Sequence, residues 1–395
     1  MKRKCDVLVV GGGPGGSLAA RHAAEAGADV LLIEKRQEIG SPVRCAEGVS
    51  RAWFEEIKVP MDKKWIAKEV DGAKLVSPSG SSFYVDEKMA GNEVGLVLER
   101  HLFDKAMAAN AARAGAEIML KTSATGVVKE DEKVVGVTAS SYGEPLAIDA
   151  KCVIAADGFE SQVARWAGLD TSLKQSDITT CFQYRLTGID IEHMYCEFFI
   201  GSAAPGGYVW VFPKDEDTAN VGLGILLSQL KKPGEVKGYL DKFIKDNERF
   251  AKGQPLEAVS GAVSVSHPLD ETVMDGMMLV GDAARLIDPI TGGGIAHACL
   301  SGMYAGKVAA KALEANDFSK EFFQEYESLW RDRLENKLWR DWMAKEKLIT
   351  ITDEQFDLVI ETLAEVGVDK MSVYNILKVI KEELPDLVKD FEEFI

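Results

Sequence analysis

No apolar run in the 395 residues reaches the roughly 18 needed for a membrane-crossing helix. The first residues, Met1-Lys2-Arg3-Lys4-Cys5-Asp6, lead directly into a strand and not into the apolar segment of a signal peptide. A cytoplasmic location, peripheral on a membrane at most, is therefore expected. Basic residues are outnumbered, 46 Lys and Arg against 63 Asp and Glu, for a formal charge of −17. A nucleic-acid backbone rewards the opposite balance, so no nucleic-acid partner is expected, and broad attachment to anionic lipid is disfavoured. The six cysteines (Cys5, Cys45, Cys152, Cys181, Cys196, Cys299) contain no Cys-x-x-Cys and no metal-ligand spacing with the five histidines. No metal is expected, and apart from Cys45 these thiols read as small buried hydrophobes. No repeat, low-complexity segment or long linker divides the chain.

What is present is concentrated at the start. An apolar strand (5–10) runs into Gly11-Gly12-Gly13-Pro14-Gly15-Gly16, a small-residue helix follows (17–26), then a second strand (29–33), then Glu34. The order is that of a dinucleotide-binding βαβ unit. Gly11 suits the tight turn, Gly13 the close approach of a pyrophosphate, and Gly16 the packing of helix on strand. The helix N-terminus offers unpaired amides to phosphate, and Glu34 stands at the distance that suits a ribose.

Two further strands end in aspartates, Val153-Ile154-Ala155-Ala156-Asp157-Gly158 and Met278-Leu279-Val280-Gly281-Asp282. The second is followed by Asp288-Pro289, Gly292-Gly293-Gly294 and a helix-like run over 295–313. In open α/β sheets ligands bind at that strand edge. Between them, residues 180–227 alternate aromatic and β-branched residues between Gly and Pro turns, which reads as an antiparallel sheet; residues 72–85 add a hairpin to it. In Tyr208-Val209-Trp210-Val211-Phe212 the period of two puts the aromatics on one face. That face is either ordinary sheet core or the wall of an apolar cavity.

The expected class is α/β, α+β overall, in three parts. A Rossmann-like FAD/NAD(P)-binding domain is assembled from 1–71, 92–172 and 262–317. An antiparallel-sheet substrate domain comprises 72–91 and 173–261, and a helical region spans 318–395. In the last, Trp330, Leu334, Leu338 and Trp342 share one i, i+4 row, and residues 330–347 carry six basic and four acidic side chains. The row is either packed on the core or a membrane-interface contact.

The ordered set of GxGxxG with Glu34, Asp157-Gly158, and Gly281-Asp282 with Asp288-Pro289 resembles the FAD-binding fold of the flavin hydroxylase superfamily. Within it, Pro42-Val43-Arg44-Cys45-Ala46-Glu47-Gly48 and Tyr208-Val209-Trp210-Val211-Phe212-Pro213-Lys214 look like the PxxC and YxWxFPK signatures of geranylgeranyl reductases. They are most similar to the archaeal digeranylgeranylglycerophospholipid reductase family, over about residues 1–310. The resemblance implies FAD as cofactor. Gly11, Gly13, Gly15, Gly16 and Glu34 would hold its ADP end, with Asp157 at the same strand edge. Cys45, Ala46 and Gly48 would lie along its middle or near the ring, Arg100 and Ala124 at the phosphate and adenine region, and Asp282, Gly293, Gly294 and Ile295 at the ribityl chain and ring.

The implied reaction saturates isolated double bonds of a geranylgeranylated glycerophospholipid or a related prenyl substrate. An isolated alkene is neither acidic nor electrophilic, so hydride must arrive with a proton, and positive character on carbon is stabilised by aromatic faces. Tyr208, Trp210 and Phe212 fit that task. Cys45 is a proton donor, a flavin contact or a small residue shaping the pocket. A flavin monooxygenase and a non-catalytic prenyl-binding chaperone are the competing readings. No second βαβ GxGxxG is present, so electrons would come from transiently bound NADPH or a ferredoxin-like protein.

Overall fold

The computed structural model describes residues 2–86, 89, 95–232, 234–368 and 373–384. The expected domain boundaries between 86 and 95, and the chain end from 385, lie outside or at the limits of the described residues.

The N-terminal strand β1 (Lys2–Val10) is the axis of the first layer, and Val7 to Val10 are buried on both faces. It pairs in parallel with β2 (Val30–Ile33) on one side and β11 (Glu144–Ala155) on the other. Parallel strands β8 (Glu117–Met119) and β18 (Met277–Leu279) flank these, and β17 (Val273–Met274) closes one edge. β9 (Thr122–Glu130) and β10 (Lys133–Ser141) extend β11 in antiparallel fashion. The three glycine- or aspartate-terminated strands therefore end side by side, with β1 at the point where the connections switch direction.

Behind this sheet, α1 (Pro14–Glu25) lies against α6 (Ile295–Ala315) and α3 (Arg100–Arg113), α2 (Ala52–Glu56) touches α6, and α4 (Gln162–Ala167) packs on β9. The two long helices meet through small residues. A Cβ on Gly302 would sit 2.1 Å from the Gly15 carbonyl oxygen, and one on Gly306 2.4 Å from that of Ala19.

The second layer is a seven-stranded sheet in the order β16 (Gln254–Ser264), β12 (Ile178–Thr187), β15 (Ala219–Leu226), β14 (Tyr208–Pro213), β13 (Tyr195–Ile200), β5 (Gly72–Val76), β6 (Ser82–Asp86). All neighbours are antiparallel except β13 and β5. Alternation sorts its faces. Val209, Val211, Val221, Leu223 and Ile225 form a core under α5 (Glu235–Asp246), while Trp210 and Phe212 join a different cluster on the opposite face. A small sheet of β3 (Gly48–Ser50), β7 (Gly95–Leu98) and β4 (Ile66–Glu69) bridges the layers.

From residue 320 the chain is helical: α7 (Lys320–Trp330), a π turn (Arg331–Glu335), α8 (Asn336–Leu348), α9 (Asp353–Val366) and α10 (Val373–Glu383). The Trp330 row is core and not an exposed membrane face. Trp330, Leu334 and Leu338 are fully buried against the parallel-sheet layer, and the Trp330 indole donates to Thr272 Oγ1 at 2.9 Å. Trp342, by contrast, is only half-buried. Several basic residues of the stretch are engaged internally. Arg333 pairs with Glu56 at 2.6 Å while lying over the Trp53 ring, and Lys337 pairs with Asp288. No described helix is long and apolar enough to cross a membrane.

The helix contact sets a stability contrast. Gly302→Ala, which meets backbone, should cost at least about 1–3 kcal/mol as overpacking. Gly238→Ala, exposed in α5 with no atom near the new methyl, should gain about 0.5–1 kcal/mol. Denaturant midpoints of the two variants check the sign of each.

Candidate active site

The glycine motif adopts the geometry its spacing demands. Gly11 has φ +114°, and a Cβ there would meet the Ala156 carbonyl oxygen at 2.2 Å; one on Gly16 would meet the Gly11 oxygen at 1.9 Å. A Cβ on Gly13 would project into open space, as a ligand-facing position requires. Gly13 caps α1 without any side-chain bond, which leaves the first amides of the helix to a ligand. Gly15 faces the other way: its Cβ position is 3.0 Å from the Ala298 oxygen, so its lack of a side chain serves the approach of α6. Glu34 accepts from the Gly12 and Arg36 amides, each at 2.8 Å, and so holds the turn shut while lying beside it.

Asp157 follows β11 and accepts from the Val163 amide at 2.9 Å through one oxygen. Its other oxygen, Oδ1, is buried with no hydrogen-bond partner, and burial pushes the carboxyl upward. Asp282 follows β18; burial raises it too, opposed by Arg100 and Arg285. Its Oδ1 would stand 3.1 Å from a Cβ on Gly294, which places the aspartate directly at the start of α6. That helix begins at Ile295 behind an uncapped Gly294. Ala124 lies on β9, paired with Ala139 and packed on the parallel-sheet core, away from the cavity described next.

A cavity of about 1200 Å³ opens where the two layers meet. Most small-molecule sites enclose about 300–1,000 Å³. One end is the loop from Asp288 to Ile295, including Gly293 and Gly294. One wall is the aromatic face of β13 and β14, with Phe198, Tyr208, Trp210 and Phe212. Their rings contact one another, Phe198 lying 5.3 Å from Phe212 and Tyr208 5.9 Å from Trp210. The Tyr208 hydroxyl donates to the Thr291 carbonyl, which ties the wall to the loop. α9 and α10 close the far side with residues such as Phe356, Ile360 and Ile376. Both Cys45 and Ala46 line the cavity, as does Gly48, whose Cβ would strike the Phe212 ring at 2.7 Å.

The segment carrying Cys45 is held by a buried ionic cluster that sequence reasoning did not assign. Glu47, almost wholly buried and with φ +77°, receives Lys214 Nζ at 2.7 Å, Asn220 Nδ2 at 2.8 Å, Arg185 at 3.1 Å and the Arg100 amide at 2.7 Å. Lys214 also reaches Glu99 at 3.0 Å and the Leu98 carbonyl. Gln183 donates to the Cys45 carbonyl at 3.3 Å and accepts the Trp210 indole N–H at 2.8 Å. Burial alone would raise the Glu47 carboxyl; the Lys214 ammonium and the surrounding donors outweigh it and hold it below the usual range. Both ends of the pair were visible, as the sixth residue after Pro42-flanked Ser41 and the last of YxWxFPK, but nothing in the spacing says that they meet. Arg100 forms a bidentate pair with Asp104 at 2.8 and 2.9 Å and lies beside Cys45. Burial pushes the Cys45 thiol up, against the pull of Arg100, and its sulfur accepts from the Glu47 amide at 3.2 Å.

Fold and site together define an FAD-dependent oxidoreductase: the orphaned Asp157 oxygen, the open face of Gly13 and two uncapped helix starts fit FAD. The family model of an FAD binding domain matches residues 6–72, and that of the geranylgeranyl reductase catalytic domain matches residues 177–263. A digeranylgeranylglycerophospholipid reductase of Thermoplasma volcanium is 50% identical over 99% of both chains, and one of Methanothrix thermoacetophila is 47% identical over 99% of this chain and 100% of the other. A solved structure, a geranylgeranyl bacteriochlorophyll reductase-like protein from Thermoplasma acidophilum, superposes with a TM-score of 0.95 at 49% identity, covering 100% of each chain. A flavin-dependent brominase shares the fold alone, with a TM-score of 0.71 at 20% identity and 99% coverage of each chain. The chain belongs to the digeranylgeranylglycerophospholipid reductase family.

Lys214→Met would leave Glu47 buried and short of its main partner, a loss of about 3–5 kcal/mol. Glu47 is held below its unfolded value near 4.3, so its contribution is complete above that pH and is lost as pH falls through the lowered value. The stability difference between wild type and Lys214→Met should therefore shrink in acid. A difference that grew there would contradict the pairing.

Proposed function

We propose that the protein saturates the isolated double bonds of geranylgeranyl chains on digeranylgeranylglycerophospholipids, in the making of archaeal ether lipids. The carrying observation is the continuity of one apolar cavity with the Asp288–Ile295 loop. A chain laid along the aromatic wall passes that loop, where the flavin ring would lie. FAD, when bound and reduced, supplies the hydride.

In this reading Gly11, Gly13, Gly15, Gly16, Glu34 and Asp157 hold the ADP half of the cofactor, with Arg100 and Ala124 near its phosphate and adenine. Asp282, Gly293, Gly294 and Ile295 hold the ribityl chain and ring, and Cys45, Ala46 and Gly48 border the ring from the opposite wall. Tyr208, Trp210 and Phe212 bind the chain and face the carbon that gains positive character. Each methylene buried in the cavity contributes about 0.8 kcal/mol, so the chain supplies its own affinity and excludes water. Cys45, with its thiol raised by burial, serves better as a cavity contact than as an acid.

The proposed division of labour is a cofactor and loop domain (1–71, 92–172, 262–317), a substrate sheet (72–91, 173–261) and a helical cover (from 318). Electrons come from NADPH or a ferredoxin-like protein, and the protein visits the cytoplasmic membrane face where its substrate resides.

The test is anaerobic. Reduced holoenzyme mixed with a geranylgeranylated glycerophospholipid should reoxidise its flavin while product mass rises by two hydrogens per bond. Reoxidation without saturated product, or a purified protein without flavin, would sink the reading. Glu34→Ala should weaken FAD retention by about tenfold or more, as expected for a lost charged hydrogen bond, before it alters the chemical step. Equilibrium dialysis against FAD measures it.

A further inference from the structure

Hydride addition to an alkene leaves a proton to be found, and the cavity is polar at one place where α8 meets the Asp288 loop. Asp288, Lys337, Arg340 and Asp341 all line the cavity there. Lys337 is shared by two carboxylates: it pairs with Asp288 and, at 2.8 Å, with Asp341 Oδ2. Asp288 is anchored by two further bonds, from the Ile290 and Thr291 amides at 2.9 Å each. Asp341 has no such support. Its Oδ1 is buried without a hydrogen-bond partner, and the nearest cation, Arg340 Nε, stands 3.5 Å away and is itself unbonded. Asp341 is 3% exposed, which sets a carboxylate oxygen without a hydrogen bond at the wall of the cavity.

Two carboxylates sharing one lysine cannot be equivalent when only one is otherwise satisfied. We propose that Asp341 is the carboxylic acid that protonates the alkene as hydride is delivered to its other carbon, an assignment that rests on the reductase reading above. In that step the Asp341 O–H bond, the alkene π bond and the N–H bond of the reduced flavin that gives up hydride would break, and two C–H bonds would form. The lipid is reduced by two electrons, the reduced flavin is oxidised, and the carboxylate left behind regains its proton from water at the partly exposed Lys337 side.

The surrounding charges agree with this division. Burial would raise Asp288, but Lys337 outweighs it and takes that carboxyl down to about 2. Burial and then the Asp288 charge raise Asp341, and Lys337 and Arg340 do not reverse it. Facing the pair from α6, His297 is lowered to about 4 by burial and is neutral, and Arg333 on the π turn is engaged by Glu56. With Asp341 as the acid, the chemical step is fast at low pH and falls as pH rises through the raised carboxyl value.

The experiment is single-turnover flavin reoxidation by geranylgeranylated lipid across pH, with holoenzyme of wild type, Asp341→Asn and Asp341→Glu. Asp341→Asn should slow the step by about 100-fold or more and remove the falling limb, the usual span for a general acid. Asp341→Glu should restore most of the rate with a displaced limb. Infrared titration supplies a readout apart from turnover: a carboxyl band that titrates above the ordinary carboxylate range should be missing in Asp341→Asn. If Asp341→Asn does not retain flavin, an unmoved limb in Asp341→Glu overturns the assignment. So does an Asp341→Asn variant with wild-type rate and profile, or a limb that moves in Cys45→Ala and not in Asp341→Glu. Wild-type enzyme that fails to reoxidise with lipid overturns the reductase reading and this assignment with it.

Discussion

The Glu47 carboxylate, buried and met by Lys214, Arg185, Asn220 and the Arg100 amide, is the constraint on which the site depends. It belongs to the loop that carries Cys45, while Lys214 directly follows the strand that carries Tyr208, Trp210 and Phe212. One ion pair therefore fixes the distance between the loop that borders the cofactor and the wall that holds the substrate. Burying two charges is expensive, and an apolar pair of equal volume could do as well for stability. What the charges add is direction: three donors and an amide converge on one carboxyl, and the loop can satisfy them in only one register.

Much of the first layer was legible because each of its signals is local. Strand, glycine turn and acid occupy about 30 consecutive residues, and the strands before Asp157 and Asp282 finish in short buried runs, as parallel strands do when both faces are covered. The alternation of 208–212 was legible for the same reason, and both of its readings hold in part: the valines are sheet core and the aromatics are cavity wall.

Interactions between distant segments were not legible. Glu47 and Lys214 are 167 residues apart, and the sequence shows only that each is charged. The basic stretch over 330–347 looked available to a membrane because composition cannot tell a solvated charge from one turned inward. The π turn at 331–335 aims Arg333 at Glu56, and Lys337 on the following helix reaches Asp288, so these charges are spent on holding the C-terminal helices over the cavity. Gly15, which looked like a ligand contact, is also a helix-packing residue, because the dinucleotide fold needs α6 against α1 as much as it needs the phosphate turn.

The central claim is that Glu47 and Lys214 act as one unit joining cofactor loop to substrate wall, and a double-mutant cycle tests it most directly. Unfolding free energies of wild type, Glu47→Gln, Lys214→Met and the double variant should show a coupling of about 2–3 kcal/mol, the upper part of the range for contacting residues. The double variant should then lose clearly less stability than the sum of the two single losses. Additive losses, with coupling below about 0.5 kcal/mol, would mean that the two residues stabilise their segments independently and would contradict the account.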